Sequence, residues 1–228
     1  MTKALTGIRV VDLTNNQAGP SCGQMLAWLG ADVIKVEEPG LGDAARQTLK
    51  DRPDADSLFY LSFNANKRSL TLNLKHPQAK EVFRALLARA DVLLENFGPG
   101  AIERLGFGYP TRRELNPRLV FASIKGLGSY GPYRDYKSYE PVAQAMGGAM
   151  SVTGEVLEDP HLREREMIVE VEHPVRGRYV TVGNPIKLSD SPTTIGPAPL
   201  LGQHRHEILR ELGYGDADIE SLAKDGAI

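Results

Sequence analysis

The chain has 228 residues, 41% of them hydrophobic and 25% charged, an ordinary globular composition with length for one large domain or two small ones. Its net charge of −2 is split, +3 over residues 1–155 (19 Lys/Arg against 16 Asp/Glu) and −5 over residues 156–228 (8 against 13), which fits a phosphate-bearing small ligand better than a nucleic acid. No apolar run is long enough to span a bilayer, "MTKALTGIRVVDL" lacks a signal-peptide pattern, and the lone Cys22 allows no internal disulfide, so no membrane partner and a reducing cytoplasm are expected.

Residues 8–13, "IRVVDL", predict a short buried strand. "PSCGQMLAWLG" (20–30) predicts a helix with Pro20 near its start and Gly30 at its end, and "DVIKV" (32–36) a second strand. Strand, helix and strand at this spacing form a βαβ unit with parallel strands. Loop-like sequence runs on through Pro53 and Asp54. "SLTLNL" (69–74) alternates as a strand does, and "HPQAKEVFRALLARA" places Ala79, Val82, Phe83, Leu86, Leu87 and Ala90 on one helical face. "DVLLENF" (91–97) and "RLVFASIKG" (118–126) predict strands, with a short helix in "GPGAIERLG" between them. The alternation predicts an α/β fold with helices on both faces of a parallel sheet. Further on, "RYVTVGNPIKL" (178–188) predicts two short strands around a turn. "LSDSPTTIGPAPLLG" (188–202) predicts an extended surface connection, and "QHRHEILREL" and "DADIESLAKDG" predict two closing helices.

The loop after the first strand, "TNNQAGPSCG", does not match G-x-G-x-x-G, which argues against NAD or FAD. It still leads into a helix whose first amides can receive an anion, with the Gln17 side-chain amide at its mouth. The alternative is a turn residue that satisfies backbone groups. "NFGPGAIERLG" (96–106) offers a second loop before a helix, where amides and Arg104 either grip a phosphate or make a tight turn with a surface arginine. "PGLGDAAR" (39–46) reads as a plain loop, and "NANKRSL" as a solvated basic strand start. "YKSYEPVAQAMGG" (136–148) crowds Lys137, Tyr139 and Glu140 at the start of a small-residue helix. That suits close approach to a ligand or to another helix equally, and the helix dipole alone favours Glu140 there. The five histidines form no metal pattern, and neither a metal site nor a Ser-His-Asp triad is expected.

Taken together, "LTGIRVVDLTNNQAGPSCGQMLAWLGADVIKVEEPGLGD", "NANKRSLTLNLK", "ADVLLENFGPGAIERLGFG", "NPRLVFASIKG" and "YEPVAQAMGGAMSVTG" resemble the beginning of the family III CoA-transferases. "EVEHPVRGRYVTVGNPIKLS" and "APLLGQHRHEILRELGYGDADIESL" resemble the end of the same family. The resemblance implies a Rossmann-like large domain without the family's smaller second domain. Residues 1–155 would form its CoA-binding part and residues 156–228 would complete it, with the seam in "TGEVLEDP".

The resemblance also implies a reaction that moves CoA between carboxylic acids, formyl-CoA and oxalate among them. A nucleophilic aspartate takes the acyl group as an anhydride; the segment that carries it is absent here, and Asp159 does not replace it. Gln17 and Ala18 would then stand around the thioester, with Tyr139 and Glu140 beside the reacting centre as supporting groups. Leu72, Asn73, Leu74, Lys75, Asn96, Phe97, Gly98, Arg104 and Lys137 would lie along CoA. CoA thioesters and small carboxylic acids would be the substrates, with no tightly bound cofactor. Glu38 departs from an arginine that oxalate-type relatives carry toward the nucleotide. A homo-oligomer is expected, but not the family's interlocked dimer, which needs a complete ring of chain. A racemase of the same superfamily needs a histidine after "ASIKG", where none occurs. A CoA-binding or interaction module without catalysis is the competing expectation.

Overall fold

A computed structural model describes residues 2–126, 128, 134–136, 138, 163–164, 166–184, 191 and 193–228. Lys137, Tyr139, Glu140 and the seam after residue 150 lie outside the described residues. Five strands, β1 (Arg9–Asp12), β2 (Asp32–Glu37), β3 (Arg68–Thr71), β4 (Val92–Glu95) and β5 (Val120–Ser123), form one parallel sheet in the order β3-β2-β1-β4-β5. Register follows the side-chain alternation, with Val10 beside Val33 and Val92, and Val11 beside Ile34 and Leu93. The strand order reverses between β1 and β4.

Each parallel pair needs a crossover, and the helices supply it on both faces. Helix α1 (Ala18–Trp28) packs Ala27 against Val10, Val33 and Leu94, and Ala31, just past its end, joins the same cluster. The other face carries Val11, Ile34, Leu70 and Leu93. It is covered by α3 (Pro77–Ala88), which follows a shorter α2 (Leu58–Phe63). Helix α3 forms where the 3.6-residue period placed it. His76 stands at its N-cap, Pro77 at its first position, and Phe83 packs edge-to-face on Phe107 at 4.7 Å between centroids. Burying each such side chain contributes about 1.5–3 kcal/mol. Two short helices, α4 (Ala101–Arg104) and α5 (Tyr109–Leu115), lead into β5.

Strands β6 (Ile168–His173) and β7 (Gly177–Val182) form a separate antiparallel pair, and α6 (Arg205–Leu212) and α7 (Asp216–Lys224) close the chain. The last two helices bury Ile208, Leu209, Leu212, Ile219 and Leu222 in the α3-side core.

The sequence reading is corrected in several places. β7 pairs with "IVEVEH" through a turn at residues 174–176, while residues 185–188 of the stretch read as two strands lie outside the described residues. His173 Nδ1 accepts from the Val175 and Arg176 amides and holds that turn. The loop read through Pro53 contains a 3-10 turn, Ala44–Arg46, and α2 follows it, capped by Ser57, whose Oγ accepts from the Tyr60 amide. Its sequence "LFYLSF" is too short and too uniformly apolar to show a period. The 188–202 connection is not wholly at the surface. Ala198 is buried with Tyr60, Leu61, Val171 and Tyr179, and the Pro199 carbonyl reaches Arg46. Among the described residues, no helix is long and apolar enough to cross a membrane.

Candidate functional site

Open parallel sheets bind ligands beyond the carboxyl ends of their strands, where the strand order reverses. Here a cleft of about 190 Å³ opens at that edge. Leu13 and Asn15 come from the loop after β1, and Glu37 and Glu38 from the end of β2. Leu72, Asn73, Leu74 and Lys75 follow β3, and Phe97 follows β4. A larger groove of about 580 Å³ lies between α3, α6 and α7, with Glu81 and Asp218 but, among the described residues, no cation in its lining. It lies away from the strand ends, so the smaller cleft is the candidate.

Buried charges fix the loops around this cleft. Asp12 is fully buried, its Oδ2 accepting from Lys67 Nζ at 2.8 Å and its Oδ1 from the Thr14 amide at 2.8 Å. Lys67 Nζ also donates to the Pro20 carbonyl and to Asn64 Oδ1, tying the start of α1 to the loop before β3. Lys35 Nζ donates to the Thr14 carbonyl at 2.7 Å and to Asp43 Oδ2 at 2.9 Å. Asp43 Oδ1 accepts from the Asn16 amide, so one carboxylate joins the loops after β1 and β2. Arg46 then grips Glu37 through Nε and Nη2 at 2.9 and 2.7 Å, pairs with Asp56 at 2.6 Å, and meets the Tyr60 hydroxyl at 2.6 Å. The basic pair read as a solvated strand start is therefore corrected. Lys67 is 3% exposed, and Arg68 is held by Asp32, Glu207 and Glu211.

These surroundings shift the groups unequally. Burial pulls the Lys67 ammonium down to about 8, against the opposing pull of Asp12. Lys35 is equally buried, but Asp12, Asp43 and Glu37 outweigh burial and hold it above its ordinary 10.5. Burial alone would raise Asp12 and Glu37. The charges of Lys67 and Lys35 bring Asp12 below 3.8, and the Arg46 hydrogen bonds bring Glu37 below 4.5.

Helix α1 can approach this pair because Gly23 has no side chain. A Cβ there would lie 2.5 Å from Asp12 Oδ2.

Of the residues singled out from sequence, Leu72, Asn73, Leu74, Lys75 and Phe97 are brought together in the cleft. Asn96 does not line it but positions Asn15, which does. Its Oδ1 accepts from the Asn15 amide at 2.8 Å, and its Nδ2 donates to the Asn15 carbonyl at 2.7 Å. Gln17 and Ala18 are exposed at the start of α1, outside the lining. Gly98 turns the chain into α4, and Arg104 is exposed with Nη1 3.3 Å from the Pro99 carbonyl. The stretch "PGLGDAAR", read as a plain loop, puts Gly42 in the lining and Asp43 and Arg46 beneath it.

Sequence reasoning also missed Glu95. It is 1% exposed, accepts from the Phe97 amide and from Lys125 Nζ at 2.9 Å, and bonds Ser123. Lys125 Nζ further donates to the Phe97 carbonyl, so this pair sets the wall of the cleft. A carboxylate ending a buried strand was the available signal.

Comparison with known proteins bears on this edge. The family model described as CoA-transferase family III matches residues 5–156 and 154–205, two stretches that meet within the "TGEVLEDP" seam. A formyl-CoA:oxalate CoA-transferase from Streptomyces avermitilis is 59% identical over 154 residues, 68% of this chain and 37% of the relative. One of the same name from Rhodopseudomonas palustris is 32% identical over 416 aligned positions, covering 100% of this chain and 98% of the relative. A solved CAIB/BAIF family protein from Brucella suis superposes with a TM-score of 0.62 at 38% identity, over 68% of this chain and 42% of the other. The chain thus spans less than half the length of the first and third of these proteins, and its 228 residues are spread across 416 positions in the second.

Proposed function

Since this chain belongs to CoA-transferase family III, we propose that its inherited task is to hold a CoA thioester at the carboxyl edge of the sheet. The cleft carries this reading, because it gathers the 72–75 stretch and Phe97 at the switch point. It is smaller than the roughly 300–1,000 Å³ of a site enclosing a whole drug-sized ligand, so it takes one end of CoA. Leu72, Asn73, Leu74, Lys75, Asn96, Phe97, Gly98, Arg104 and Lys137 are assigned to CoA, Gln17 and Ala18 to the thioester, and Tyr139 and Glu140 to the reacting centre. Residues 156–228 complete the domain begun by residues 1–155, a reading supported by the shared core of α6 and α7 with the sheet.

The inherited reaction is CoA transfer between carboxylic acids of the formyl-CoA and oxalate kind. A carboxylate attacks the thioester carbonyl and the C–S bond breaks. The acyl group passes to an acyl–aspartyl anhydride and the electron pair to CoA thiolate. The acceptor carboxylate attacks the aspartyl carbonyl of the anhydride and the donor acid leaves as its carboxylate; the thiolate then attacks the acceptor's acyl carbonyl, giving the new acyl-CoA and freeing the aspartate. No residue of this chain matches that aspartate. The two-part family match and the 416-position alignment support an internal omission that includes it. This chain alone therefore binds CoA and does not turn it over. The same reading makes it a cytoplasmic homo-oligomer other than the interlocked dimer.

Two measurements test it. At 100-fold Kd, CoA stabilises a single-site binder by about 2.7 kcal/mol, roughly 5–10 °C in Tm for a domain of this size. No shift at millimolar CoA defeats the binding half. An exchange assay with formyl-, oxalyl- and succinyl-CoA should show no turnover, and robust turnover defeats the chemical half.

A further inference from the structure

Phe97 lies two residues past the end of β4, yet both of its peptide groups are held by charged side chains. Its N–H donates to Glu95 Oε2 at 2.8 Å, and its carbonyl accepts from Lys125 Nζ at 2.5 Å. The same ammonium meets the same carboxylate oxygen at 2.9 Å, and the Ser123 hydroxyl donates to Glu95 Oε1. Strand register explains the meeting. Glu95 and Ser123 end β4 and β5 as direct partners, and one further ladder bond runs from the Ile124 amide to the Glu95 carbonyl. Phe97 and Lys125 each stand two residues further on, so the two-residue step of a strand brings them level. Glu95 is buried and the Lys125 side chain is 21% exposed, so water competes little for these charge-assisted bonds. The residue held in this way belongs to the apolar part of the cleft lining, with Leu13, Leu72, Leu74 and Leu105.

We infer that Lys125 is a positioning residue of the CoA site: with Glu95 it pins the Phe97 backbone, and so fixes the place of the Phe97 side chain in the cleft before ligand arrives. The inference rests on the CoA reading above and deepens it. Lys125 acts through Phe97, because its ammonium is engaged by Glu95 and the Phe97 carbonyl. A side chain already in place costs nothing to order on binding, whereas one on an unpinned loop must be ordered then. Losing the pin corresponds to a loss of about threefold to tenfold in CoA affinity.

Calorimetric titration of the full chain with CoA tests this, comparing the wild type with Lys125→Met, Phe97→Ala and the double variant. Lys125→Met should weaken binding by about threefold to tenfold. Lys125→Arg keeps a charged donor for both partners and should return the affinity to within about twofold of the wild type. In the Phe97→Ala background the Lys125→Met change should cost less than about twofold, because the ring it positions is gone. An equal cost with and without the ring would show Lys125 touching CoA or supporting the fold at large, and would overturn the inference. So would wild-type affinity in Lys125→Met or in Phe97→Ala, or no recovery in Lys125→Arg. Lys125→Met leaves the buried Glu95 without its counter-ion. Glu95→Gln/Lys125→Met carries no orphaned charge and should show the same loss and the same dependence on the ring, so it decides the matter if the single variant does not fold. Each of these failures leaves the CoA reading standing, whereas a wild type that does not bind CoA would overturn both.

Discussion

Replacing Asp12 by asparagine keeps the shape of the side chain and removes its charge from a site with no solvent. Asp12 and Lys67 are both fully buried, with 2.8 Å between Oδ2 and Nζ. In Asp12→Asn one amide oxygen can still accept from Thr14, but the amide NH2 then faces the Lys67 ammonium, donor against donor. Lys67 keeps the neutral acceptors Pro20 O and Asn64 Oδ1, and Lys35 remains a positive neighbour. Breaking one side of a buried pair costs about 3–5 kcal/mol, a large share of the roughly 5–15 kcal/mol that holds a domain together. With a urea m-value of about 2–3 kcal/mol/M, the unfolding midpoint at pH 7 should fall by about 1–2 M. The double variant Asp12→Asn/Lys67→Met removes the orphaned charge and should recover about 1–3 kcal/mol of that loss. A cost below about 1 kcal/mol for Asp12→Asn, or a double variant no more stable than the single one, would refute the view that this pair is a coupled, desolvated unit.

The remaining predictions concern the same layer. Gly23→Ala would normally stabilise a helix by about 1 kcal/mol, but its Cβ would meet Asp12 Oδ2 at 2.5 Å and Lys67 Nζ at 3.2 Å. Overpacking of about 1–3 kcal/mol should win, giving a lower melting temperature; a raised one would show that α1 can shift away freely. Lys67 sets an alkaline signature: its folded value of about 8 lies below the ordinary 10.5, so the unfolded chain binds more protons between those limits. Its contribution to stability therefore rises from pH 8 to 10.5, and the wild type should gain on Lys67→Met across that window in urea titrations. A constant difference would contradict the depressed value. On the acid side, the depressed carboxyls of Asp12 and Glu37 contribute stability that is fully present above their ordinary 3.8 and 4.5. That stability is lost as pH falls through their folded values, so unfolding should become easier below about pH 4.

The parallel sheet and its main helices were legible because their signals are local. The short runs of adjacent valine and isoleucine in "RVVD" and "DVIKVE", and the one-sided apolar face of α3, each state their own geometry within a few residues. The 72–75 stretch and Phe97, which line the cleft, were singled out only through family resemblance, since nothing in their composition marks them. Helices α2 and α5 were not legible, being six and seven residues long and held by packing on distant elements. Arg112 in α5, for example, lies 3.6 Å over the Phe121 ring.

By itself, then, the sequence determined the alternation of strand and helix, and with it the edge where a ligand would sit. Tertiary structure alone decided the electrostatic partners at that edge. Asp12 meets Lys67 across 55 positions of chain, and Arg46 receives the Pro199 carbonyl across 153. A charged residue reads as solvated in any short window, because burial and a partner come from segments far away in sequence. Folding brings those segments together and removes the water between them, and only then does each charge acquire its partner and its shifted proton affinity.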